Sequence, residues 1–291
     1  MPCRRLVGGF VVAGWLGVAP FGLSAERQDT KELLQRVAAY VRSYEQSFSA
    51  VVCEERYAQR ARVDNGWETR ALQSEAALVQ TDGEDWRLFR DVLSVDGVRV
   101  QDRGNRLEDL FGGGARSAAG EARRITEESA RYNIGPVART LNVPTLALAF
   151  LRQGDQKRSR FTVGSRRRTD GRDIVDLRFE ERDTPRMIYT RDRAPAAGRA
   201  WVDAADGTVR GTELRIHSEG MLASIMVTYR RDDTLALWVP EGMDEAYYSG
   251  VRRAESGVAS FDRTPANLGT IIDGHATYAN CRKFTVDTRI K

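Results

Sequence analysis

The stretch from Gly198 to Ser218 constrains the fold of this chain more than any other. Its sequence, GRAWVDAADGTVRGTELRIHS, has two runs of strand-forming residues around a short polar segment. The segment Ala204–Gly207 favours a tight turn, because its glycine tolerates a positive φ. The run that follows alternates apolar and polar residues through Leu214 and Ile216, as a half-buried strand does. We therefore predict a β-hairpin here, and with it an antiparallel sheet.

Residues 1–25 have the features of a secretory signal peptide. Arg4 and Arg5 form a charged start, residues 6–20 are mostly apolar, and Leu23-Ser24-Ala25 resembles a cleavage site. The alternative is an uncleaved membrane anchor, but glycines interrupt the run, which is shorter than the roughly 20 residues that span a bilayer. We expect a periplasmic or secreted protein whose mature chain is one β-rich domain, residues 26–291.

The charge balance excludes one class of partner. The chain has 45 Lys and Arg against 41 Asp and Glu, and without Arg4 and Arg5 the mature balance is 43 to 41. A dedicated nucleic-acid-binding protein has a concentrated basic face instead. We therefore expect no nucleic-acid partner.

Two cysteines remain after the leader, Cys53 and Cys281. In an oxidising compartment such a pair can form one disulfide, which would join the first strand to the last. Closing so long a loop stabilises a fold by about 4–5 kcal/mol in the chain-entropy treatment. Two separate buried thiols are the alternative, and the sequence leaves both open.

One amphipathic helix is predicted before the strands, over Asp29–Gln46. Its apolar residues recur at helical spacing on one face. They are Leu33, Leu34, Val37, Val41 and Tyr44. A helix with a single apolar stripe needs a surface to cover, and the strands that follow supply one.

The strand pattern predicts an α+β fold that is mainly antiparallel β, with about ten strands. A twisted sheet of this size tends to curl into a half-open barrel, whose hollow the helix can fill. The predicted segments include Phe48–Val63, Trp67–Gln80, Trp86–Leu93, Val95–Gln101, Ile174–Glu181, Met187–Thr190, Met221–Arg231, Leu235–Val239 ending at Pro240, and His275–Ile290.

Two segments interrupt the strands. Residues 104–155 contain helix-prone runs, with Pro136 and Pro144 suited to the first position of a short helix. We predict a helical insertion there that covers or plugs the sheet. Residues 250–274 have little periodicity, which favours a long surface loop.

No catalytic, metal or cofactor site is predicted. His217 and His275 stand apart from any metal-binding spacing. The adjacent pair Glu54-Glu55 would point to opposite faces of a strand, and no nucleophile elbow or phosphate-binding loop occurs. A hydrolase that uses His217 or His275 is the enzymatic alternative, and it would need both histidines in one pocket.

The densest positive charge lies at residues 157–160 and at Arg166-Arg167-Arg168. These arginines suit an anionic membrane surface or an acidic envelope partner. The alternative is a solvated strand edge whose charges prevent unwanted pairing.

The layout resembles a known family. A leader, an N-terminal amphipathic helix, a long meander, a mid-chain insertion and the hairpin pattern G-x-x-W-V-D-x-x-x-G-x-V are similar to LolA/LolB-like proteins. The pattern runs from Gly198 to Val209. Proteins of this family carry or accept outer-membrane lipoproteins, and related ones bind lipids or sense envelope stress.

The resemblance implies a half-open barrel with an apolar interior that takes an acyl chain. Candidate lining residues are Val175, Leu177, Phe179, Trp201 and Met226, although ordinary core packing would produce the same alternation. The implied function is a non-enzymatic binding protein for a lipid or lipoprotein acyl chain. A protein-interaction or stress-sensor module with the same fold is the alternative.

Overall fold

Alternating apolar residues and glycine-containing turns shape most of this fold. The structure is a computed structural model that describes residues 21–48, 51–64, 66–80, 86–101, 127, 130–137, 139, 141–250 and 269–283. Its one long helix is α1 (Phe21–Phe48), and two 3₁₀ helices span Leu146–Leu151 and Gln156–Arg158. The strands are β1 (Val51–Val63), β2 (Gly66–Gln80), β3 (Trp86–Val95), β4 (Val98–Arg99), β5 (Ser159–Thr169), β6 (Arg172–Glu181), β7 (Ala196–Asp203), β8 (Val209–Ser218), β9 (Met221–Asp232), β10 (Leu237–Ser249) and β11 (Gly269–Lys283).

All eleven strands form one antiparallel sheet. Their order is β4-β3-β2-β1-β11-β10-β9-β8-β7-β6-β5. Every pairing joins strands consecutive in sequence, except the one between β1 and β11. The sheet stays open, because β4 and β5 each have one neighbour. The predicted fold class, a mainly antiparallel sheet that does not close, is confirmed.

Helix α1 packs on one face of the sheet, which we call the inner face; the other is the outer face. Its buried residues follow the predicted apolar stripe: Leu33, Val37, Val41, Tyr44 and Phe48. Phe48 belongs to this helix and not to the first strand. No helix among the described residues has the length and apolar character needed to cross a membrane.

The predicted hairpin is confirmed as β7 and β8, and two glycines explain its fit. A Cβ on Gly198 would lie 2.1 Å from Phe179 Cζ, so only glycine leaves room for that ring. Gly207 has φ +77°, and a Cβ there would lie 2.4 Å from the Arg36 carbonyl carbon. The turn of the hairpin is therefore pressed against the backbone of α1.

The described part of the predicted insertion packs against the inner face, and we call its described residues between 127 and 155 the plug; residues 127 and 130 are helical. Residues 102–126 lie outside the described residues. The following stretch includes the 3₁₀ helix Leu146–Leu151, which buries Leu148, Phe150 and Leu151 against the inner face. Arg152 Nε lies 2.6 Å from Glu45 Oε1, which ties this segment to α1.

Two predicted strand assignments are wrong. Residues 187–190 form bends and coil, because the Glu181 carboxylate accepts hydrogen bonds from the backbone N–H groups of Met187 (2.6 Å) and Ala196 (3.2 Å) and holds a loop there. Pro240 does not end a strand: β10 continues to Ser249. The ladder shifts register just after Pro240, and a bulge tolerates a missing N–H.

The end of the chain also differs from the prediction. The segment predicted as a loop, 250–274, is strand from Gly269 onward, and residues 251–268 lie outside the described residues. The last strand ends at Lys283, and the remainder of the predicted segment to Ile290 is also outside them. Cys53 on β1 and Cys281 on β11 are joined by a disulfide, with their Cα atoms 4.0 Å apart.

Candidate binding groove

Three of the candidate lining residues belong to the packed core. Val175, Leu177 and Phe179 on β6 are fully buried on the inner face. The Phe179 ring stacks on Phe150 of the plug, with centroids 4.8 Å apart. The chain's own 3₁₀ helix therefore occupies the position beside the Phe179 ring.

The other two candidates lie on the outer face. Trp201 is paired with Asp176 of β6 and with Gly211 of β8. Neighbouring strand residues point to opposite faces, so Trp201 is on the face that Val175 and Leu177 avoid. Met226 is paired with Glu213 and shares the Trp201 face. The five residues therefore do not line one hollow. The strand register places two of them on the opposite face of the sheet from the other three, so the expectation of a shared cavity is wrong.

Polar side chains also fill the inner face. Arg139 from the plug donates to the Glu245 carboxylate at 2.5 Å, and both side chains are fully buried. The Tyr57 hydroxyl also donates to Glu245, and Arg139 donates to the side-chain oxygen of Gln59. Burial raises the pKa of Tyr57, and the charge of Glu245 raises it further.

A second buried ion pair lies nearby. Arg90 on β3 contacts Glu55 on β1, with Nη2 2.9 Å from Oε1, and its Nη2 also reaches the Asn142 carbonyl oxygen at 3.4 Å. Sequence reasoning missed both pairs. Isolated arginines and glutamates carry no sequence signal for partners 35 or 106 residues away.

An open groove of about 500 Å³ contains the outer-face residues Trp201 and Met226, and we call it the Trp201 groove. Its apolar residues include Trp201, Met226 and Ile174. The Trp201 ring fits because position 211 is glycine: a Cβ there would lie 2.8 Å from Trp201 Cε3. Met226 is one of the few large apolar side chains of the described residues that are exposed.

Arginines give the groove a positive rim. Arg167, Arg210, Arg230 and Arg231 line it together with a single acidic residue, Asp170. The Arg210 guanidinium lies 3.9 Å from the centroid of the Trp238 ring, and its Nη2 is 3.5 Å from Asp203 Oδ2. An apolar floor beside several arginine side chains suits a molecule with an apolar chain and an anionic end.

The two histidines do not form a catalytic site. His217 lies on β8, and His275 lies on β11, three strands away in the sheet. His275 Nδ1 is 2.6 Å from Asp244 Oδ1. Among the described residues no group of three or more His, Cys, Asp or Glu side chains is placed to hold a metal ion.

The arginine clusters separate in space. Arg158 and Arg160 lie close to acidic residues, at 3.5 Å from Asp155 and 2.9 Å from Glu180. Arg167 lines the Trp201 groove, whereas Arg166 lines a smaller pocket with Asp29 and Arg36 of α1. The run Arg166-Arg167-Arg168 therefore has side chains on both faces of the sheet.

Several solved structures are similar to this chain in fold. A putative outer membrane lipoprotein-sorting protein domain from Vibrio parahaemolyticus is 10% identical, with a TM-score of 0.38 over 89% of this chain and 95% of that one. A DUF1329 family protein from Desulfovibrio piger is 10% identical, with a TM-score of 0.37 over 89% and 95%. A LolA superfamily protein from Nitrosomonas europaea, the family that the sequence resembles, is 10% identical, with a TM-score of 0.34 over 89% and 96%. No protein-family model and no curated protein sequence matches the chain.

Proposed function

We propose that this chain is an extracytoplasmic, non-enzymatic binding protein that holds the acyl chain of a lipid or lipoprotein in the Trp201 groove. The observation that supports this function most directly is the apolar floor of exposed Met226 and half-buried Trp201 beside the arginine rim. The proposed ligand lies on the outer face, because the inner face is occupied by the plug and by two buried ion pairs.

The groove has the size and chemistry for this ligand. Small-molecule sites usually measure about 300–1,000 Å³, which includes the groove of about 500 Å³. Each methylene transferred from water to an apolar surface contributes about 0.8 kcal/mol. The rim arginines would contact a carboxylate or phosphate at the head of the chain through charge-assisted hydrogen bonds.

The disulfide supports an extracytoplasmic location. Disulfides form and persist in oxidising compartments and are rare in the cytosol. The bond between Cys53 and Cys281 joins neighbouring strands at the centre of the sheet, so the fold accommodates it without rearrangement.

Binding of myristate tests the groove directly. The protein, secreted with its leader and purified without reductant, would be titrated with fluorescently labelled myristate. We expect Met226→Asp to weaken binding about tenfold or more, because a carboxylate would replace an apolar contact and repel the anionic head. Val98→Asp is the matched control, since Val98 is exposed on the far edge strand β4, and its affinity should equal that of the wild type.

A second pair of variants separates groove binding from general tryptophan effects. Trp201→Ala should weaken myristate binding, whereas Trp67→Ala should not, because Trp67 is exposed on β2 and stacks on Arg60. Myristyl alcohol should bind more weakly than myristate if the rim contacts the head group. Saturable binding that survives both Met226→Asp and Trp201→Ala, or no binding of myristate at all, would refute the proposed function.

A further inference from the structure

The two edges of the sheet differ sharply. One edge is β4, which is only two residues long, and the other is β5, which is eleven. Strand β5 pairs with β6 on one side and has no neighbour among the described strands on the other. Its outward N–H and C=O groups are therefore free to pair with another strand.

The side chains of β5 give this edge one sign of charge. It carries Arg160, Arg166, Arg167 and Arg168 and no acidic residue. The run from Arg166 to Arg168 is exposed, and Arg166 lines a small pocket with Asp29 and Arg36 of α1. A partner that brings carboxylates would meet three solvent-accessible guanidinium groups.

The direction of the arginines favours one kind of partner. Arg167 is opposite Ile174, which faces the outer side, whereas Arg166 and Arg168 are opposite Val175 and Asp173 and face the inner side. A flat anionic membrane meets one side of a sheet at a time. A strand that lies along the edge has side chains on both sides and can reach all three arginines.

We propose that the edge strand β5 binds an extended acidic segment of a partner protein, which adds to the sheet as a twelfth strand. Main-chain hydrogen bonds along Arg166–Thr169 would hold the segment, and acidic side chains on both of its sides would select it. The register shift between Val163 and Arg166 marks where this pairing ends. A second copy of this chain is a poor occupant, because it would bring four more arginines to the same edge.

An acetylated hexapeptide of sequence Glu-Glu-Thr-Thr-Glu-Glu, which has glutamates on both sides of an extended strand, tests this proposal. We expect saturable binding by fluorescence anisotropy, and slower hydrogen exchange at the amides of Arg166–Thr169 that point away from β6. The double variant Arg166→Glu/Arg168→Glu should bind about tenfold more weakly or worse. Arg56→Glu/Arg62→Glu makes the same change in net charge at exposed positions of β1 and should stay within about twofold of wild type.

A backbone control separates strand addition from charge attraction. The same peptide with an N-methyl group at every residue keeps its charges but loses the backbone donors on both of its edges, so it should lose binding. Equal affinity of the methylated peptide would overturn the proposal. So would failure of the peptide to bind, arginine-dependent binding to phosphatidylglycerol vesicles instead of the peptide, or a dimer of the free chain that the Arg166→Glu/Arg168→Glu change disrupts.

The proposed strand site shares Arg167 and Thr169 with the Trp201 groove, whereas Arg166 and Arg168 belong to the strand site alone. Myristate binding should be unchanged in Arg166→Glu/Arg168→Glu, because neither residue lines the groove. Unchanged myristate binding would also show that the Arg166→Glu/Arg168→Glu variant remains folded.

Discussion

Arg139 of the plug lies 2.5 Å from Glu245 of β10, and neither side chain is exposed to solvent. Arg139→Met would leave a buried carboxylate without its cation, which typically costs about 3–5 kcal/mol. The double variant Arg139→Met/Glu245→Met should recover most of this loss, because it removes both charges and keeps similar volumes. Urea unfolding of the three proteins measures the effect. A double variant that loses the sum of both single changes would show that the pair is not coupled.

Two neighbouring tyrosines differ in one hydrogen bond. The rings of Tyr44 and Tyr229 meet edge to face at 6.3 Å. The Tyr229 hydroxyl donates to the Pro144 carbonyl oxygen at 2.6 Å, whereas the buried Tyr44 hydroxyl has no partner among the described residues. Tyr229→Phe should therefore cost about 1 kcal/mol, and Tyr44→Phe should be neutral or slightly stabilising. Denaturant midpoints at neutral pH compare them, and equal losses would contradict the assignment.

The same tyrosines predict a loss of stability in alkali. Burial raises the pKa of Tyr44 and of Tyr229 above the ordinary value. Above about pH 10 the unfolded chain releases these protons while the folded chain keeps them, so the free energy of unfolding falls as pH rises. Unfolding curves between neutral pH and pH 11 should show this decline, with a shallower slope in Tyr44→Phe. An identical slope would mean that Tyr44 ionises freely in the folded state.

Two glycines with the same backbone angle should respond differently to alanine. Gly207 and Gly220 both have φ +77°, but a Cβ on Gly207 would collide with α1, whereas nothing lies within 4 Å of one on Gly220. Gly220→Ala should cost about 1–2 kcal/mol, the strain of a left-handed alanine. Gly207→Ala should cost clearly more, since the hairpin must also move from the helix. Thermal unfolding ranks the two, and similar losses would argue against a tight contact at Arg36.

Reduction of the disulfide should weaken the fold without unravelling the sheet. The bond spans 228 residues of sequence, and opening a loop of that size removes about 5 kcal/mol in the chain-entropy treatment. The ten-residue ladder between β1 and β11 remains after reduction. We expect a lower denaturant midpoint in dithiothreitol with an unchanged circular dichroism spectrum at zero denaturant, and Cys53→Ser/Cys281→Ser should match the reduced protein.

Local patterns carried most of the fold but not the site. The spacing of Leu33, Val37 and Val41 predicts α1, and the turn near Gly207 predicts the β7–β8 hairpin, because each depends on residues close in sequence. The face of Trp201 depends on how β6 registers with β7. Alternation within one strand is the same in either register, so the sequence alone cannot say which face Trp201 shares.

The packing of polar side chains on the inner face could not be predicted from the sequence either. Arg139 and Glu245 are 106 residues apart, and a lone charged residue in a polar stretch is usually solvated. The position of Pro240 inside β10 depends on a bulge opposite Tyr229, which is a property of the pairing and not of the proline.

The pairing of β1 with β11 has a consequence for how the molecule is made. Each of the other strand pairs joins consecutive strands and can assemble soon after both have left the ribosome or the export channel. The seam between β1 and β11 has to wait for the final strand, so two separate meanders, β1–β4 and β5–β10, precede the complete sheet. A chain that stopped before Gly269 would expose β1 and β10 as two long strands with unpaired edges. Addition of the C-terminal strand β11 is therefore the step that protects the newly synthesised chain from aggregation.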